Sequence, residues 1–101
     1  MKNLRLALKP VYYDLIDKGL KKREYRNITE YYTRKLTRDG KAPEKGEAKF
    51  IDLETVTFFC GNGHDRPAMT FKVEKLGLWP ENSPTHYTID LGERLHKKEE
   101  F

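Results

Sequence analysis

GLKKREYR, residues 19–26, is the stretch that decides how this chain folds. It opens on Gly19, which follows Val11, Tyr12, Leu15 and Ile16 at helical spacing and takes the place of a C-capping glycine. Pro10 suits a first helical turn, where its missing N–H costs nothing, so the spacing predicts a short helix over roughly 10–18. From Lys21 onward the chain reads as extended and charged. Successive side chains of a strand point to opposite faces, so Glu24 and Arg26 share one face and Arg23 and Tyr25 the other. Lys21 stands at the mouth of that strand, placed to swing toward Glu24 and Arg26.

Working outward, Leu4, Leu6 and Leu8 alternate with Arg5, Ala7 and Lys9, the period of a half-buried strand. On the other side Asn27, with Glu30 three residues on, resembles a capping box. Tyr31, Tyr32 and Leu36 then line a second helix over roughly 28–37. Residues 38–48 carry Gly, Pro and charge and read as a mobile loop. Three further strands follow, with apolar stripes Val56-Phe58-Cys60, Met69-Phe71-Val73 and Tyr87-Ile89-Leu91. Asn62-Gly63 marks a turn between the first two. Pro80 and Pro84 mark a loop before the last, with Trp79 in that loop capping one end of the sheet. The tail HKKEEF is expected to fray. The order β-α-β-α-β-β-β, with one apolar and one polar face per strand, predicts an α+β fold. Its antiparallel or mixed sheet curls around a single core.

Composition agrees with one domain of 101 residues, its core about 4–92. Charged residues make up 36%, and the net charge of +4 favours a polyanionic partner such as RNA, a nucleotide or an anionic membrane face. The single cysteine, Cys60, excludes an internal disulfide and fits a reducing compartment. The apolar run in MKNLRLALKP is too short and too charged for a signal peptide or a membrane span. A cytoplasmic protein with no membrane partner is therefore expected. Cys60, His64, His86 and His96 show no paired metal-ligand spacing, so neither metal nor cofactor is expected.

A lysine, a carboxylate and a guanidinium brought together hold a phosphate, position a base or move a proton. The bland alternative for Glu24 and Arg26 is a surface ion pair worth about 0–1 kcal/mol. The pattern Gly19-x-Lys21-x-x-Glu24-x-Arg26, after a strand ending Lys9-Pro10 and a short helix, resembles the signature of the ASCH domain family. The likeness runs over roughly residues 4–92, through Leu53–Gly61, Met69–Val73 and Tyr87–Gly92. It implies a small PUA-like β-barrel of about five strands with two short helices, and a cleft beside the first helix. It also implies binding of RNA or a nucleotide. One branch of the family hydrolyses N4-acetylcytidine to cytidine, using a lysine and a hydroxyl residue of this motif and a glutamate from elsewhere. Lys21 matches that lysine, but Glu24 occupies the hydroxyl position, and Arg23 stands where an apolar residue is more usual.

Three functions follow as expectations. The first is a binding module in which Lys9, Lys21, Arg26 and Arg66 grip a phosphate or base edge and Glu24 orients the cations. The second is a small amidohydrolase in which Lys21 activates water or stabilises an oxyanion, Glu24 shuttles a proton and Glu74 supplies a second carboxylate. The third is a protein-interaction domain of a phage or mobile element. Tyr12, Tyr13, Tyr25, Tyr31 and Tyr32 interleave with the cations as bases require for stacking. Tyr12 and Tyr25 read better as core or rim residues.

Overall fold

Leu4, Leu6 and Leu8 do point one way and are buried, and the strand they form, β1 (Asn3–Leu8), leads directly into α1 (Pro10–Asp17). The computed structural model describes residues 2–44, 47–61 and 66–98. Beyond α1 come β2 (Arg23–Asn27), α2 (Glu30–Leu36), β3 (Thr55–Cys60), β4 (Ala68–Trp79) and β5 (His86–Lys98). The order of elements is the one expected. The expected Asn62-Gly63 turn lies outside the described residues, as do Lys45 and Gly46 of the 38–48 loop.

The fold is α+β, a curled five-stranded half-barrel with two helices. The strand order is β1-β3-β4-β5-β2. β1 pairs with β3 in parallel, Leu4 opposite Val56 and Leu6 opposite Phe58, and the remaining pairs are antiparallel. The apolar stripes line the concave side. Val56, Phe58, Met69, Tyr87 and Ile89 are fully buried there, closed over by Ile16 of α1 and Leu36 of α2. Tyr87 keeps its hydroxyl satisfied inside this core through Thr33, at 2.6 Å. No helix among the described residues is long and apolar enough to cross a membrane.

Three local expectations are corrected. The N-cap of α2 is Thr29, whose hydroxyl accepts from the Tyr32 N–H at 3.2 Å. Asn27 is not available for that role because it is the last rung of β2, opposite His86. Trp79 is not in a loop: it ends β4, also opposite His86, and is 47% exposed. The tail does not fray at His96, since His96, Lys97 and Lys98 extend β5 against Thr70, Met69 and Ala68.

Candidate nucleic-acid interface

The turn after α1 sets up the site. Gly19 adopts φ +74°, a left-handed conformation open to glycine at little cost. Its N–H donates to the Ile16 carbonyl at 3.0 Å, and Leu20 donates to Leu15 at 2.9 Å, the two bonds of a Schellman motif. Lys21 N–H also reaches the Leu15 carbonyl, at 3.2 Å. The chain therefore leaves the helix sharply and pins Lys21 against it. Leu91 N–H then takes the Lys22 carbonyl, and β2 enters the sheet beside β5.

Pairing with β5 fixes which way β2 faces. Glu24 lies opposite Ile89 and Arg26 opposite Tyr87, both core residues, so this pair of side chains turns inward. Arg23 and Tyr25 are exposed on the other side, as the alternation requires. There Arg23 pairs with Asp90, and this hydrogen-bonded carboxylate raises the guanidinium pKa further above its ordinary value.

The Glu24 side chain is only 6% exposed, and three groups converge on it. Lys21 Nζ donates to Oε1 at 2.9 Å, Arg26 Nη2 to Oε2 at 2.8 Å, and the Tyr25 N–H to Oε1 at 3.1 Å. Arg26 reaches further. Its Nη2 donates to the Ala7 carbonyl of β1 at 3.1 Å, and its Nη1 to the Tyr32 hydroxyl of α2 at 3.0 Å. Its Nε is buried without a hydrogen-bond partner among the described residues. β1 and β2 end the sheet order, so Arg26 spans the seam between the two edges. Each cation also faces a tyrosine ring. Lys21 Nζ lies 4.8 Å from the Tyr12 centroid, and Arg26 Cζ 5.6 Å from that of Tyr32. Tyr31 stands edge-on to Tyr32 at 5.0 Å.

Two cations share one carboxylate, so the cluster carries a formal charge of +1. Both oxygens of Glu24 are engaged by these donors. Lys21 and Arg26 keep donors not used in these bonds, and neither is wholly buried. The site therefore presents oriented positive charge beside half-exposed aromatic surface.

Of the five binding candidates, the fold brings together Lys21, Glu24 and Arg26. Lys9 is exposed at the N-cap of α1, where its carbonyl receives the N–H groups of Tyr12 and Tyr13. Arg66 lies away from the cluster, over the ring of Phe59. Two cavities are also present. The larger, about 840 Å³, lies beside Arg23, Asp90, Gly77 and Trp79. The described part of the 38–48 loop lines it, at Asp39, Lys41, Ala42, Glu44, Glu47 and Ala48. The smaller, about 560 Å³, is lined by Lys21, Gly19, Asp17, Glu74 and Arg94. Tyr12 takes the rim rather than the core alternative: it is 45% exposed, with Lys21 over its ring. Tyr32 is among the tyrosines singled out in the sequence, but its hydrogen bond to Arg26 and that of the Ala7 carbonyl have no signal there, because both arise only through tertiary structure. No family model, no curated protein and no solved structure matches this chain.

Proposed function

We propose that this chain is an RNA- or nucleotide-binding module of the ASCH type, and that it takes its ligand at the seam between β1 and β2. One observation carries the reading. Lys21 and Arg26 are held by a single buried carboxylate, each with a tyrosine ring against it. Oriented cations beside accessible aromatic rings suit a phosphate next to an unpaired base. The formal net charge of +4 supports the same partner.

The test is a fluorescence-anisotropy titration of labelled single-stranded RNA at several salt concentrations. Affinity is expected to fall linearly in log–log form as salt rises, because each neutralised phosphate releases counterions. Lys21→Ala is expected to weaken binding about tenfold, the scale of one charge-assisted contact. Absence of binding at low salt, or binding indifferent to Lys21→Ala, contradicts the proposal.

A second reading has one observation in its favour: Lys21 and Glu74 line the same cavity, as a hydrolytic pair requires. On this reading the chain is an amidohydrolase of N4-acetylated cytidine, with Lys21 stabilising the oxyanion and Glu74 moving the proton. Incubation with N4-acetylcytidine decides it. Cytidine release that collapses in both Lys21→Ala and Glu74→Gln supports it, and no release above background removes it.

A further inference from the structure

The chain has seven arginines, and five pair with a carboxylate: Arg23 with Asp90, Arg26 with Glu24, Arg34 with Glu30, Arg38 with Asp52 and Arg94 with Asp17. Among the described residues, Arg5 and Arg66 have no such partner. Both are parked on one ring: the Arg5 Cζ lies 4.7 Å and the Arg66 Cζ 4.6 Å from the centroid of Phe59. The charges are therefore separated by at most the sum of those distances, close to one Debye length in about 0.1 M salt. Two like charges over one phenyl ring are only partly screened at this separation and repel, and an external anion relieves that repulsion.

The surroundings suit a phosphodiester. Phe59 sits between Ala7 and Ala68, two small residues that leave its half-buried ring raised above the outer face of the sheet. The next row is Arg5, Thr57 and Thr70, with Thr57 Oγ1 2.8 Å from Thr70 Oγ1 and 3.1 Å from Asn3 Oδ1. Neither row contains a carboxylate. Arg66 is steadied by Nη1 on the Gly61 carbonyl at 2.6 Å, which leaves other donors of its fork for a ligand. The position matters as much as the charge. Ala7, the strand partner of Phe59, is the residue whose carbonyl receives Arg26. Lys21, Arg26, Phe59 and its two guanidiniums thus form a path around the edge of β1.

We propose that a single RNA strand held at the seam continues over β1, and that Arg5 and Arg66 take its phosphodiester groups above Phe59. This rests on the seam reading and extends its footprint to the outer face. The test compares labelled oligouridylates of about four and sixteen nucleotides, within the range of single-strand site sizes. Both are titrated against the wild type, Arg5→Ala/Arg66→Ala, Arg5→Lys/Arg66→Lys and Lys21→Ala, each checked for native circular dichroism. On the long strand the double alanine variant is expected to lose roughly 10- to 100-fold in affinity, and its log–log salt slope to shrink by about 1.4, two phosphates at about 0.7 each. The double lysine variant is expected to keep the slope, and the short strand to respond to Lys21→Ala alone. An unchanged slope in the double alanine variant, with Lys21→Ala still weakening binding, overturns the extension and leaves the seam reading standing. Loss in the double alanine variant with none in Lys21→Ala overturns the continuous path and moves the whole site to the outer face. No binding of either strand by the wild type overturns both. Equal displacement of RNA from this face by polyglutamate reassigns it to an acidic protein partner and overturns the phosphodiester assignment.

Discussion

Glu24 is the residue on which the seam depends. Its carboxylate is almost fully buried and joins Lys21, Arg26 and the Tyr25 N–H. Removing one partner of a buried ionic cluster leaves the others desolvated and unpaired, so Glu24→Ala is expected to cost about 3 kcal/mol in urea-unfolding experiments. A loss below about 0.5 kcal/mol, the range of ordinary surface substitutions, contradicts this account of the cluster. Tyr12 is different: it is 45% exposed and lies under Lys21 rather than in the core. Tyr12→Ala is therefore expected to leave stability nearly unchanged and to weaken RNA binding roughly 5- to 100-fold, the worth of one stacked base. A folded, full-affinity Tyr12→Ala protein removes Tyr12 from the site. At this scale the sequence told which side of β2 each residue takes, because alternation is local. It did not tell that the cations would close on Glu24 rather than on open volume, since that geometry comes from β1, β5 and α2 together.

The elements hold the seam in place through their ends. The Schellman turn at Gly19 directs Lys21 back toward Glu24, and a Cβ at φ +74° is strained wherever its neighbours lie. Gly19→Ala is expected to lower stability by about 1 kcal/mol. It is also expected to weaken ligand binding through Lys21, checked by unfolding and anisotropy on the same sample. For α2 the two caps separate cleanly. Thr29→Ala is expected to cost about 1 kcal/mol and Asn27→Ala markedly less in chemical denaturation. The reverse order contradicts the assignment of Thr29 as the cap. Helices and strands were largely legible from period and from Pro10 and Gly19. What was hidden are element ends decided by pairing: Asn27 is drawn into β2 by His86, and β4 runs on to Trp79 because β5 pairs with it. The extension of β5 through His96–Lys98 against Ala68–Thr70 has the same cause.

Across the whole molecule, the proposed function rests on where the sheet stops. β1 pairs only with β3 and β2 only with β5 among the described strands, so the two ends of the order face each other where the half-barrel curls. Arg26 bridges them by reaching the Ala7 carbonyl from β2, and α1 and α2 carry Tyr12 and Tyr32 to the same line. Curling was implied by five short strands around one core; the parallel β1–β3 pair and the seam it creates were not, because alternation says nothing about which strands become neighbours. The most direct measurement is a ¹⁵N–¹H NMR titration of the protein with short single-stranded RNA. The account predicts shift changes concentrated at Ala7, Tyr12, Gly19 to Arg26 and Tyr32. Changes confined to the opposite face, around Gly77, Trp79 and Thr88, or no changes at all, contradict it.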